Sequence, residues 1–189
     1  MKNLNIVIIY QTYFILHTMA SFRRYEADYF TATVLEWKFL LTDDRFKEII
    51  VGSLRHRAER KRAMVHAFVI MNNHIHVIWH VHHPHKRDEV QRDMLKFTAQ
   101  TIIRELRNEP EVLQQYYVGA RDRKHQVWER NPLTVPLWTE DVVKQKVAYL
   151  HNNPVRAGLC AYAEDYKYST ASLYSSGEDR FGFIEPFYF

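Results

Sequence analysis

The sequence predicts an α+β domain, an antiparallel β-sheet with helices packed on one side of it in a ferredoxin-like layout. Three observations predict it: a stretch of period-two alternation near residue 30, two β-rich runs split by Asn72-Asn73, and three segments with apolar residues at helical spacing. In chain order these give strand, helix, strand, strand, helix and a further helix. The 189 residues suit one ordinary domain with its own core, and no repeat or low-complexity tract divides them.

The first strand is expected over Tyr29–Trp37, where Phe30, Ala32 and Val34 share one side and Thr31, Thr33, Leu35 and Trp37 the other. Thr42 is the expected N-cap of a helix from about Asp43 to Arg60, whose apolar stripe is Phe46, Ile49, Ile50 and Leu54. Met64–Val81 reads as a β-hairpin, because asparagine tolerates the positive φ of a tight turn. The second helix buries Leu95, Ala99, Ile102, Ile103 and Leu106 and turns Lys96, Gln100, Arg104 and Arg107 outward. Residues from about 109 to 137 follow neither period and read as a basic, aromatic insertion carrying Arg121, Arg123, Lys124, Tyr116, Tyr117 and Trp128. Thr139 caps a third helix with core positions Val143, Val147 and Leu150, and Pro154 with Gly158 is expected to stop it. The aromatic tail 181–189 must dock on the sheet or on a partner. Residues 1–28 read as an N-terminal extension, in which Ile6–Tyr10 supplies an extra strand or lies upstream of an alternative start at Met19, and 175–189 as a C-terminal tail.

Composition narrows the function classes. Apolar residues make up 47% and charged residues 25%, which excludes a largely disordered chain. A formal charge of +4 is permissive for a polyanionic partner. The single Cys160 rules out an intrachain disulfide and an all-cysteine metal site and fits a cytoplasmic protein. The apolar run Ile6–Tyr10 falls far short of the roughly 20 residues that a membrane span requires.

Chemistry concentrates at two places. In His74-Ile75-His76 the imidazoles are two apart on a strand, so both project from one face while Ile75 and Val77 face the other way. On the third helix Tyr149 and Asn153 are four apart and share one face, presenting a phenol beside a carboxamide. The ordinary alternatives are a polar pair on a solvated strand, an amphipathic core tyrosine and an asparagine helix cap. A further cluster, His80, His82, His83 and His85, reads as a surface loop, since Pro84 interrupts it and no carboxylate lies nearby.

Taken together, Val69-Ile70-Met71-Asn72-Asn73-His74-Ile75-His76 and Tyr149-Leu150-His151-Asn152-Asn153-Pro154-Val155-Arg156-Ala157-Gly158-Leu159 resemble the paired signatures of single-tyrosine HUH transposases, in particular the REP-associated tyrosine transposases. Similar supporting phrases stand at Glu36-Trp37, Lys96-Phe97-Thr98 and Asp165-Tyr166-Lys167-Tyr168-Ser169, so the resemblance covers 29–174. It implies an HUH endonuclease layout, a divalent cation (Mg²⁺ or Mn²⁺) on His74 and His76, and Tyr149 as nucleophile. Cleavage would leave a 5′-phosphotyrosine and a free 3′-hydroxyl able to rejoin DNA. Where the insertion-sequence branch places a metal-binding Gln four residues after the tyrosine, this chain has Asn153, one methylene shorter, so the third donor is Asn153, His151 or a water. Asn72 stands where relatives carry Pro.

The implied partner is single-stranded or hairpin DNA, gripped by Lys96, Gln100, Arg104, Arg107, Arg121, Arg123, Lys124 and Arg156, with the protein acting as a monomer or homodimer. The alternatives are a domesticated hairpin-binding protein that no longer transposes, and an RNA-binding module that uses the same sheet.

Overall fold

The computed structural model describes residues 26–189. The expected N-terminal strand and alternative start lie outside the described residues. Four strands, β1 (Ala27–Thr33), β2 (Ala63–Ile70), β3 (His74–Val81) and β6 (Leu133–Leu137), form a sheet in the order β2-β3-β1-β6 with every neighbouring pair antiparallel. Because β1 and β2 are both antiparallel to the β3 that separates them, they run the same way, joined by the helix α1 (Asp44–Glu59). This is the split β-α-β arrangement of a ferredoxin-like sheet.

The helices cover both faces, where one was expected. Phe30, Ala32, Val34, Phe68, Val77 and Trp79 face α1 and α2 (Arg87–Glu105) in the larger core. The alternate residues Tyr29, Val69 and Ile78 face Val143, Val147 and Leu150 of α4 (Glu140–Arg156) in a second core. Each strand of the sheet centre is therefore apolar on both sides over most of its length. Among the described residues no helix is long and apolar enough to cross a membrane.

Several local expectations change. Strand β1 stops at Thr33, and a 3-10 turn at Leu35–Trp37 holds Glu36 and Trp37 at φ 55° and 57°. Asp43, not Thr42, caps α1, its carboxylate accepting from Arg45 N. The hairpin turn after Ile70 uses no positive φ. Its asparagines instead anchor the preceding segment, the Asn73 and Asn72 carbonyls accepting from Val34 N and Leu41 N at 2.8 and 2.9 Å. Helix α2 is rotated from its expected stripe: Val90, Met94, Thr98 and Ile102 are buried, with Leu95, Ala99 and Ile103 at the margin. Thr98 is tolerated there because its hydroxyl donates to Met94 O and accepts from Trp128 Nε1.

The segment expected as an insertion is built in part into the sheet. It holds the short helix α3 (Pro110–Gln114), a small hairpin of β4 (Tyr117–Ala120) and β5 (Arg123–His125), and then β6. Pro136 is acceptable in β6 because that strand lies at the sheet edge, where a missing N–H costs no ladder bond on the open side.

Helix α4 begins at Thr139, whose hydroxyl accepts from Val142 N, but runs past Pro154 to Arg156. Proline removes the N–H that would have met Leu150 O. Asn153 Nδ2 donates to that carbonyl at 3.4 Å and to Tyr149 O at 2.8 Å, which relieves the break. Beyond α4 the chain returns along β2: Ile70 N donates to Tyr168 O and Thr170 N to Phe68 O. After α5 (Ala171–Ser176) the aromatic tail docks on the same strand, Glu185 N donating to Val65 O and Phe187 stacking on His66.

Candidate active site

Strand alternation places His74 and His76 on the α4 side of β3, opposite Thr33 and Thr31 of β1. The two rings lie 4.8 Å apart at 70°. Each is oriented through Nδ1. Asn73 donates with Nδ2 to Trp37 O, which leaves its Oδ1 to accept from His74 Nδ1 at 2.7 Å. Thr31 Oγ1 stands 2.7 Å from His76 Nδ1. The Asn73 oxygen can only accept, so His74 Nδ1 donates and its Nε2 keeps a lone pair, the form in which imidazole binds a cation; His76 takes the same form when the Thr31 hydroxyl accepts from its Nδ1.

Burial keeps these rings neutral. His76 is buried against Tyr29, their rings stacked at 5.2 Å, and its pKa falls to about 3, chiefly through desolvation and further through His74 and Lys146. His74 is shifted down by desolvation as well. Neither imidazole needs to lose a proton before it donates a lone pair near neutral pH.

Tyr149 comes to the same place from α4. Its ring lies 5.9 Å from His76 and 6.5 Å from Tyr29, edge-on to both, while 42% of the residue stays exposed. The phenol and the imidazole pair therefore belong to one chain and one site. Two cations bracket the phenol: Lys146 Nζ at 5.7 Å and the Arg156 guanidinium at 5.6 Å from the ring centre. Residues 146, 149, 153 and 156 fall at helical spacing along one face of α4.

Asn153 is on this face, one turn beyond Tyr149, with its amide nitrogen committed to helix carbonyls and its Oδ1 left as an acceptor. His151 is not available to the site. It is buried elsewhere, with Nε2 2.9 Å from Thr170 Oγ1 and its ring 5.0 Å from Tyr174. Among the described residues no group of three or more His, Cys, Asp or Glu is arranged to hold a metal ion. Two imidazoles would be only a partial donor set, and a divalent cation held there would need further oxygen ligands from an amide, water or a phosphate. His80 sits half-buried at the far end of β3, its Nδ1 meeting Glu26 O and its ring 5.3 Å from His82, while His83 and His85 are exposed.

The residues expected to grip nucleic acid are dispersed. Lys96, Gln100 and Arg123 line a groove of about 860 Å³ between α2 and the β4–β5 region, together with Asp88, Asp122 and Glu129. That groove belongs to the opposite layer from Tyr149. Arg121 and Lys124 are exposed at the small hairpin, and Arg104 and Arg107 near the end of α2. Only Arg156 of the expected set lies at the phenol.

Sequence reasoning missed Tyr29, Thr31 and Lys146. Tyr29 and Thr31 are at alternate positions of β1, facing His76 across the sheet, and Lys146 is one turn before Tyr149. Helical periodicity alone could have found Lys146. Tyr29 and Thr31 required the β1–β3 register.

No protein-family model and no curated protein matches the sequence. Solved structures do. A REP-associated tyrosine transposase bound to a REP hairpin is similar over 87% of this chain and 88% of its own, at 15% identity and a TM-score of 0.61. A Deinococcus radiodurans chain assigned as a transposase is similar over 68% of this chain and 91% of its own, at 15% identity and a TM-score of 0.46. The chain has the fold of that REP-associated tyrosine transposase.

Proposed function

We propose that this protein is a single-tyrosine HUH transposase of the REP-associated kind, a metal-dependent enzyme that cleaves and rejoins single-stranded DNA beside hairpins. The observation that carries the reading is the approach of Tyr149 to His76, 5.9 Å between ring centres within one chain. That two motifs so distant in sequence come together supports the reading. The shared fold and the hairpin bound by the similar transposase support the DNA class of substrate.

His74 and His76, with Asn153 Oδ1 as a third donor, would hold Mg²⁺ or Mn²⁺. Such an ion, when bound, supplies positive charge to a non-bridging phosphate oxygen and so favours attack by a nucleophile that is weak at neutral pH. The chain's own residues do the rest. Tyr149 is exposed enough to meet a strand, yet its ring is fixed edge-on by Tyr29 and His76, which limits the directions its hydroxyl takes. The Tyr149 oxygen forms a bond to phosphorus, the bond from phosphorus to the 3′-oxygen breaks, and the phenolic proton ends on that oxygen. The phosphotyrosine keeps the phosphodiester energy, so a 3′-hydroxyl reverses the step without ATP. Because one chain supplies phenol and imidazoles, a monomer suffices.

An RNA-binding sheet exposes one face so that its aromatics can stack on bases. Here α1 and α2 cover one face and α4 the other, which favours the nuclease reading.

The test is incubation with Mn²⁺ and a labelled pool of hairpin oligonucleotides with randomised single-stranded flanks. We expect a covalent protein–DNA adduct on a denaturing gel, absent in Tyr149→Phe, with DNA binding retained. An adduct that persists in Tyr149→Phe overturns the assignment of the nucleophile.

A further inference from the structure

We propose that Lys146 is a catalytic residue of the Tyr149 site, its ammonium touching the phosphate that Tyr149 attacks. The inference rests on the proposed reaction and adds a residue outside both sequence signatures.

Tyr29, His76 and Tyr149 form a triangle of rings with centres 5.2, 5.9 and 6.5 Å apart. A phosphate within reach of both the Tyr149 hydroxyl and the imidazoles must enter beside this triangle. Lys146 Nζ is 5.1 Å from the Tyr29 ring and 5.7 Å from the Tyr149 ring, and its charge acts on His76. It is thus near all three rings, whereas Arg156 is exposed and reaches the phenol from the other end of the helix stripe.

Among the described residues the lysine also has no counter-ion. Lys144, two residues earlier, pairs with Glu140 at 2.6 Å and lies over Phe189. Lys146 forms no ion pair among the described residues, although it is half-buried. Contacts with two rings position the ammonium without neutralising its charge. An incoming phosphate would meet that charge, and the charge that builds on its oxygens during attack would be met by a cation already in position.

Two variants test the role in single-turnover adduct formation at saturating Mn²⁺ and DNA. Lys146→Gln keeps much of the stem and removes the charge, and Lys146→Arg restores a cation. We expect Lys146→Gln to slow adduct formation by about 10- to 100-fold, to change DNA affinity by less than about threefold, and Lys146→Arg to recover most of the rate. On a cleaved oligonucleotide remade with a neutral methylphosphonate at its mapped scissile position, the gap between wild type and Lys146→Gln should narrow toward unity. A wild-type rate in Lys146→Gln, whatever its melting temperature, overturns the proposal, as does a gap that stays full-sized on the methylphosphonate. Equal losses in affinity and rate would make Lys146 a binding residue only. Failure of wild type itself to form an adduct would instead remove the reaction on which the proposal stands.

Discussion

His66 and His151 resemble His74 and His76 in almost every property that is usually taken to mark a functional histidine. His66, His76 and His151 are buried, and desolvation lowers their pKa values to about 4, about 3 and about 4. The surroundings differ. His66 is the extra residue at the irregular step of β2 between Val65 and Ala67, and it meets Glu185 O and stacks on Phe187 at 4.1 Å. His151 meets Thr170 and Tyr174. Both rings are therefore fasteners for the returning C-terminal chain. His74 and His76 instead adjoin an exposed phenol and a lysine that forms no ion pair among the described residues. Burial and a depressed pKa do not separate the two pairs, whereas the groups around each ring do.

The sharpest way to break this comparison is to exchange one histidine from each pair for alanine and measure activity per folded molecule. His76→Ala should lower adduct formation by at least about 100-fold while DNA binding stays near wild type, since neutral imidazoles contribute little to phosphate affinity. EDTA should mimic it. His66→Ala should stay within about twofold of wild type. Comparable losses in the two variants would mean that the pairs are not distinct.

Stability should divide the other way, with a smaller effect. Phe187 covers the His66 ring and its amide donates to the Tyr174 hydroxyl, so Phe187→Ala should cost about 2 kcal/mol. Tyr149→Phe removes only a hydroxyl from an exposed residue and should leave denaturant midpoints within about 0.5 kcal/mol of wild type. Urea titrations of the two variants check both values, and a large loss in Tyr149→Phe would show that the phenol is also a structural anchor.

What the sequence made legible follows from the range of each interaction. The same-side placement of His74 and His76 and the pairing of Tyr149 with Asn153 are consequences of periods within a single strand or helix, and both hold. Thr139 as a cap and Val143, Val147 and Leu150 as a core stripe hold for the same reason. Much of what failed depended on distant partners. Thr31 reaches His76 across 45 residues, and Trp128 satisfies Thr98 across 30, so neither the histidine's support nor the true face of α2 is written locally. Strand β6 is five residues with a proline, too short to declare itself without β1 beside it. Pro154 is a strong stop signal that the Asn153 side chain overrides.

The smallest and most diagnostic effect is on the pH dependence of stability. The His66 pKa falls from 6.5 to about 4 on folding because burial outweighs its bond to Glu185 O, with the nearby His80 and His82 lowering it further. Between these values the unfolded chain binds more protons than the folded one, so stability rises with pH over that window and levels off above it. Lowering the pH from 7 to 5 should therefore reduce the melting temperature, and His66→Phe, which keeps an aromatic ring against Phe187 without a titrating nitrogen, should flatten that slope. His66→Phe will not abolish it, because His74, His76 and His151 are shifted in the same direction by burial. If the slope is unchanged in His66→Phe, the tail is not fastened through a neutral His66, and the division between the two histidine pairs loses its structural half.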